Sequence, residues 1–496
     1  MKRTRTVVVD NGASTIKAGI AKANQDPRVI PNAIIRSKGD KTTYFGHEFK
    51  KCRDHSSLHY RLPFEKVSLG ALVALRKHGT SEGLIGGTSL QGYLVDWDAQ
   101  KAIWDGMFSD EVLAVDATES SLLITEPYFN LPNIQDVYDQ FVFEEYEFQS
   151  YHRCTPASLV PRGQLFSNPS LPQPECVLIV DSGFSFTHIV PIMDGAVLWH
   201  AVKRIDVGGK LLTNHLKELA SFRQWDMMDE TYIMNDVKET CCYVSNQFAA
   251  DLETCRTNPR RNSIVQEYIL PDFSANRRGC IRQPDETALE TDQVLYMGNE
   301  RFSVPELLFR PDDIGMHVCG ATLRLSTASV NASLMDGLLA GMEQSGVAAS
   351  IAQSITLLPE DLRGMFWANI GLIGGNTKFP GFGARLLSEL RSLAPVECEV
   401  VIYESEDPIL EAYRSAVAFA SHPDFSEYTV TRSEYQESGS NACRRKFKDW
   451  KNTGRGNDAT KDSGKGKARA REDEDDSPQP KPVRTRTRTV SAVKRR

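Results

Sequence analysis

Val7-Val8-Val9-Asp10-Asn11-Gly12 and Val177-Leu178-Ile179-Val180-Asp181-Ser182-Gly183 share one grammar. In each, a run of aliphatic residues ends in an aspartate, a small polar residue and a glycine. Such a run reads as a buried strand entering a tight hairpin turn. Asp10 and Asp181 lie 171 residues apart. That interval is too long for a stacked solenoid repeat and suits two similar lobes, each offering one hairpin to a shared cleft.

A turn of this kind has a chemical use. Glycine and small residues let backbone N–H groups approach an anion closely. A nearby aspartate holds Mg2+ through water, and a lysine neutralises phosphate charge. Lys17 follows Asp10 on what would be the returning strand. A single aspartate turn is common in hairpins that bind nothing. Two of them, each after a buried strand and one with a lysine, point to a phosphate cleft. A third signal is Leu372-Ile373-Gly374-Gly375-Asn376-Thr377-Lys378-Phe379-Pro380-Gly381. It precedes Leu386, Leu387, Leu390 and Leu393, which recur at helical spacing. The spacing predicts a strand, a glycine-rich loop and a helix with Pro380 near its start. The loop either closes over a nucleotide at a helix N-terminus or is a plain strand–helix turn.

Composition sets the outer bounds. The 496 residues are 41% hydrophobic and 25% charged, enough apolar sequence for real cores and against wholesale disorder. No run of 18 apolar residues suggests a membrane span, and Met1-Lys2-Arg3-Thr4-Arg5 before three valines does not read as a secretory signal. The ten cysteines form no CxxC pair, so neither a zinc site nor a thioredoxin-type site is expected; they read as reduced, buried thiols, the adjacent Cys241 and Cys242 included. The net charge of −7 hides two opposite parts. Residues 451–496 hold 14 Lys/Arg against 7 Asp/Glu, while the preceding 450 residues hold 44 against 58. This tail has no aromatic residue, an acidic block (Glu472 to Asp476) and a basic end (Lys481 to Arg496). It is expected to be disordered, as a nuclear-import or weak nucleic-acid contact segment or as a solvated tail without a partner.

Together these segments resemble actin and the actin-related proteins over nearly all of residues 6–450. Asp10-Asn11-Gly12 through Lys17-Ala18-Gly19 looks like the family's first phosphate loop, and Asp181-Ser182-Gly183 through Thr187-His188 like its second. Arg204-Ile205-Asp206-Val207-Gly208-Gly209-Lys210 resembles the segment after it. Asp236-Val237-Lys238-Glu239-Thr240-Cys241-Cys242 matches the helix whose Lys and Glu face the adenosine, and Gly374 to Gly381 matches the adenosine motif. Met297-Gly298-Asn299-Glu300-Arg301-Phe302 is similar to the family as well. Leu122 to Asn130, Phe143-Glu144-Glu145-Tyr146, Val430 to Tyr435 and Cys443 to Phe447 resemble the actin-related protein 6 branch.

The resemblance implies an α/β, bilobed fold of the actin and Hsp70-like ATPase type, with a nucleotide cleft between the lobes. Lobe one would be 1–172 plus 410–450, lobe two 173–409, and 451–496 the disordered tail. It implies ATP with Mg2+ as ligand, held by Asp10, Asn11, Gly12, Lys17, Asp181, Ser182, Gly183, Lys238, Glu239, Gly374, Gly375 and Phe379, with no catalytic residue and no direct metal ligand assigned; the alternative is an empty cleft held closed by side chains. The branch is nuclear. It implies a non-catalytic scaffold in a Swr-type chromatin-remodelling complex, with the motor ATPase and other subunits as partners. Histones or nucleosomal DNA would be met indirectly, with weak contact by the basic tail, and no membrane is involved. Localisation would be the nucleus, with the cytoplasm open. The competing expectations are an active ATPase of the same fold and a filament-forming cytoskeletal protein.

Departures from the family pattern bear on hydrolysis. Phe184 stands where actin has an acidic residue, and Ser185 where it has glycine. The glutamine that orients actin's attacking water should fall near Arg153, a residue that cannot act as a base. His188 is retained. Three stretches are insertions: Val67–Gln91, Val318–Glu343 and roughly Ser274–Asp292. The ends of the first, and less well of the second, admit codons that spell intron boundaries, so these read as translated introns or, alternatively, as surface loops. The third reads as a polar lineage loop or partner contact, with Arg277-Arg278 a solvated turn. Leu159-Val160-Pro161-Arg162-Gly163 is expected to be an exposed loop. The divergence of Thr42 to Tyr60, where actin's subunit-contact loop would lie, argues against filaments.

Overall fold

A computed structural model describes residues 5–22, 25–64, 92–168, 170, 172–259, 261–283, 292–313 and 344–447. The expected insertion 67–91, all of 318–343 and the tail 451–496 lie outside these residues.

Eighteen strands occur among the described residues: β1 (Arg5–Asn11), β2 (Thr15–Ile20), β3 (Arg28–Pro31), β4 (Ile34–Ser37), β5 (Thr43–Phe45), β6 (Leu58–Arg61), β7 (Ser120–Thr125), β8 (Ser150–Cys154), β9 (Cys176–Ser182), β10 (Thr187–Met193), β11 (Ala196–Val197), β12 (Lys203–Ile205), β13 (Gln266–Ile269), β14 (Cys280–Ile281), β15 (Val294–Met297), β16 (Ile370–Ile373), β17 (Ile402–Glu404) and β18 (Val430–Thr431). Two mixed sheets dominate. The first runs β18-β8-β7-β1-β2-β3, and the second β11-β10-β9-β16-β17, with β12 on β10.

The two hairpins occupy matching places. β1 pairs antiparallel with β2, putting Asp10 opposite Lys17, and parallel with β7. β9 pairs antiparallel with β10, putting Asp181 opposite His188, and parallel with β16. Val7, Val8 and Val9, like Val177 to Val180, are buried on both faces. A strand flanked by neighbours and covered on both sides needs that continuous apolar run rather than an alternating one. Each lobe has its own core. Val7, Ile16, Leu122, Trp104 and Tyr151 anchor the first; Leu178, Ile189, Leu212, Phe366 and Leu386 anchor the second. The chain returns to the first sheet at its end: β18 pairs with β8, and the helix Glu411–Ser421 packs on β1.

Smaller sheets sit above each lobe, β5-β4-β6 in the first and β14-β13-β15 in the second. Across the cleft the segment before β6 meets the start of the helix Thr231–Cys241. The Ser57 N–H and hydroxyl both donate to the Glu230 carboxylate (2.9–3.1 Å). The His55 ring stacks on Tyr232 at 4.5 Å, with Phe49 and Phe273 at its edges.

One expectation needs correction, and two other segments gain detail. Leu159 and Val160 are buried, not exposed: Pro156–Leu159 is a helical turn, Arg162 lies over the Phe419 and Tyr428 rings (4.3 and 5.1 Å), and a Cβ on Gly163 would collide with Ser415. The helix Phe382–Leu393 forms as the spacing predicts, but only Leu386 and Leu390 are core; Leu387 and Leu393 are exposed. In the polar segment 274–292 the described part is built into the smaller sheet. Cys280–Ile281 pairs with β13, and Asp292 takes Arg277 at 3.2 Å and Arg282 at 3.6 Å. Arg277 lies at the end of an exposed turn, as expected, and reaches Asp292 from there.

Candidate functional site: a cleft between two hairpins

Between the lobes lies a cleft of about 1130 Å³. Its walls carry all of the expected contact residues except Ser182, which lies just beneath the wall. Topology explains the convergence: Asp10 and Asp181 close strands β1 and β9, and Gly374 closes β16 beside β9. Loops at strand carboxyl ends are where α/β sheets gather ligands.

In the first hairpin, Asp10 is 5% exposed and fully engaged. Its carboxylate takes Lys17 Nζ at 3.3 Å and the Thr125 hydroxyl at 2.9 Å. Asn11 N–H in turn donates to Thr125 Oγ1, and the Asn11 amide to Tyr138. Asn32 reaches the Gly12 carbonyl (2.9 Å) and Gln100. This buried polar web holds the turn open toward the cleft with Lys17 as its cation.

The second hairpin is locked from outside. Gly209 N–H donates to Gly183 O and Lys210 N–H to Phe184 O, so the start of the helix Gly209–Arg223 grips the loop. A Cβ on Gly208 would meet the Phe184 carbonyl, which accounts for the Gly-Gly-Lys sequence there. From the third segment, Asn376 donates to Ser182 Oγ (3.1 Å) and Gly183 O (2.8 Å). Gly374 sits at φ +91°, and a side chain there would strike the Ser182 carbonyl; only glycine fits. Ser185 Oγ is buried at the cleft wall and has no hydrogen-bond partner among the described residues. An orphan hydroxyl beside a glycine turn fits an anionic ligand that supplies the missing acceptor.

On the side where the resemblance would place an adenosine, Lys238 donates to Gly209 O, Thr213 and Asn235, and burial lowers its pKa. Glu239 takes the Asn235 amide at 2.7 Å. Phe379 is 6% exposed and packs into the second core, while Lys378 pairs with Asp407. Phe184 lines the cleft where the resemblance placed a missing carboxylate. The hairpin end therefore carries Asp10 and Asp181 from the two turns, with Glu126 beside them. Among the described residues no cluster of three or more His, Cys, Asp or Glu is placed to hold a metal directly. Both Asp10 oxygens and one Asp181 oxygen are already hydrogen-bonded or ion-paired, so Mg2+ would be held mainly through its waters and the phosphates, with Lys17 neutralising part of the phosphate charge.

Arg153 does not lie where the resemblance put it. It is 3% exposed, outside the cleft lining, and binds Glu126 at 3.0 Å and Asp139 at 3.7 Å. Burial pushes Asp139 up to about 6 despite the guanidinium. From this segment the cleft receives Pro156, which has no side-chain donor or acceptor.

One residue was not singled out in the sequence. Tyr128, just beyond β7, donates its hydroxyl to Asp181 Oδ2 at 2.7 Å and accepts from Ala157 N–H at 3.1 Å. Its ring lies 4.3 Å from His188. Burial pushes Asp181 up to about 6; the Tyr128 hydrogen bond and Lys17 oppose the rise and Asp10 adds to it. Burial lowers His188 to about 3, with Arg204 assisting, so its imidazole is neutral. The signal was there in outline: Tyr128 follows a strand end, where site residues collect.

Two paired hairpins at matching sheet positions, with a glycine loop closing on the second, define the actin class of fold. The chain belongs to the actin family, whose model matches residues 1–448. Within it, the relatives carry the name actin-related protein 6. The chain is 48% identical to actin-like protein ARP6 of Cryptococcus neoformans, over 89% of this chain and 84% of the relative. It is 37% identical to actin-related protein 6 of Neurospora crassa, over 90% and 94%. The Drosophila melanogaster protein of that name is 33% identical, over 87% and 97%.

Proposed function

We propose that this chain is a non-catalytic, actin-fold scaffold in a nuclear chromatin-remodelling complex that exchanges a variant histone into nucleosomes, and that it binds ATP with Mg2+ without efficient hydrolysis. The observation that carries the reading is 48% identity, across most of both chains, to a protein named for this branch. The cleft supports the ATP part: Lys17, the orphan Ser185 hydroxyl and the Gly374 loop suit a polyphosphate. The weak turnover is read from Phe184, which brings no carboxylate, and from Pro156, which cannot orient a water. The partners are the motor ATPase and its companion subunits, and the basic tail adds weak, salt-sensitive contact with DNA.

Tagging the protein in its native cells and identifying what co-purifies from nuclear extract tests the proposal. A remodelling motor ATPase with histone-exchange subunits is the expected result. Recovery alone, or with cytoskeletal chains, overturns it. Equilibrium binding of labelled ATP, with a parallel phosphate-release assay, tests the nucleotide part.

A further inference from the structure

Hydrolysis of ATP needs a water oxygen to bond the γ-phosphorus while the bond from that phosphorus to the β–γ bridging oxygen breaks. The water's proton passes to an acceptor, and ADP and phosphate leave. At the hairpin end of the cleft, four described side chains could accept that proton or a metal-bound water: Asp10, Glu126, Asp181 and His188. Two are already taken within lobe one. Asp10 holds Lys17 and the Thr125 hydroxyl. Glu126 is 7% exposed and holds Arg153, Asn130 and Gln135. The remaining two, Asp181 and His188, belong to lobe two and face each other across the β9–β10 pair.

Tyr128 covers both. Its hydroxyl takes Asp181 Oδ2 and its ring lies over His188. The tyrosine is itself fixed: it is 6% exposed, held by Ala157 N–H and packed with Val160, Ile179 and Val190. We propose that Tyr128 is the residue that keeps this cleft a nucleotide-holding site: it occupies the Asp181 oxygen that would otherwise receive a metal-bound or attacking water, and it screens the His188 imidazole. The inference rests on the ATP-binding reading above and names what withholds hydrolysis within it. Phe184 and Pro156 describe groups that are missing. Tyr128 is a group that is present and blocks, so its effect is reversible by substitution.

The full-length chain is compared with Tyr128→Phe, Tyr128→Leu and the double variant Tyr128→Phe/Asp181→Asn. Two readouts are taken: the affinity for mant-ATP with and without Mg2+, and phosphate release from ATP. The parent is expected to bind mant-ATP with little dependence on Mg2+ and to release phosphate at background. Tyr128→Phe keeps the shape and frees the carboxylate. It should hold affinity within about threefold and gain about tenfold in both Mg2+ dependence and phosphate release. Tyr128→Leu also uncovers His188 and should release phosphate at least as fast as Tyr128→Phe. Adding Asp181→Asn should abolish both gains, which a merely structural role for the tyrosine does not predict. The inference is overturned if Tyr128→Phe matches the parent in both readouts, if the gain survives Asp181→Asn, or if the parent already hydrolyses ATP rapidly. If neither protein binds mant-ATP, the ATP reading falls and takes this one with it, while the co-purification result stands independently.

Discussion

Ser57 and Glu230 form a two-pronged hydrogen bond across the mouth of the cleft: backbone N–H and hydroxyl of one lobe meet one carboxylate of the other. Ser57 holds φ +45° to do so, a conformation disfavoured for a residue with a Cβ. The contact therefore offsets local strain, and the His55–Tyr232 stack lies beside it. Glu230→Ala should speed release of bound mant-ATP by about tenfold, since hydrogen bonds to a charged group contribute about 1.5–3 kcal/mol. Ser57→Gly removes the hydroxyl but relieves the strain, so its effect should be smaller. Stopped-flow displacement by excess ATP measures both. Equal rates in parent and Glu230→Ala would show that the mouth contact does not gate exit.

The Arg153 network is expected to act on stability rather than on ligand. Arg153→Ala leaves Glu126 and Asp139 buried without their cation, a change that costs about 3–5 kcal/mol. Urea unfolding should show that loss. Nucleotide affinity at a concentration where the variant is folded should be unchanged, because Arg153 does not line the cleft. A selective loss of binding would contradict this placement.

His152 gives a pH prediction. It is buried among Phe419, Phe425, Tyr428 and Phe447, with Nδ1 hydrogen-bonded to Tyr428 O. Burial lowers it to about 4. The unfolded chain takes up a proton near pH 6.5 and the folded chain near pH 4, so stability from the neutral ring is full above 6.5 and lost as pH falls through that window. Asp139 and Asp181, both raised to about 6, act in the opposite sense between roughly 4 and 6. The parent's total is therefore a poor readout, and a variant isolates the histidine. His152→Gln should be less stable than the parent at pH 7.5, and the gap should narrow steadily toward pH 4.5. A pH-independent gap would assign the loss to packing alone.

Gly92 N–H donates to Phe64 O at 3.2 Å. If Val67–Gln91 is absent from the mature chain, Phe64-Glu65-Lys66-Gly92 becomes four consecutive residues. That hydrogen bond then becomes the closing bond of a β-turn with glycine in its favoured last position. We expect the spliced transcript to lack the codons for 67–91. Sequencing mature RNA across the junction checks this, and their presence would make the segment a genuine insertion.

Both aspartate hairpins and the glycine loop were legible, because each is a local pattern: an apolar run leading into turn residues. Their meeting in one cleft was legible through resemblance. What escaped the sequence depends on distant partners. Arg153 looks like a surface or site residue until Glu126 and Asp139 are brought around it from two other elements. Leu159 to Gly163 has the proline and glycine of a loop, yet the helix Glu411–Ser421 arrives some 250 residues later to cover it. No local pattern could show that the Tyr128 hydroxyl meets an aspartate 53 positions further on.

The strand registers carry one more consequence. Asp10 and Lys17 are partners in the first hairpin, and Asp181 and His188 occupy the same two places in the second. The two hairpins thus share one register pattern. At the matching position one offers a cation and the other a neutral ring. Within the hairpin pair the positive charge therefore comes from one turn only, and an anion set between the two turns would meet an asymmetric field.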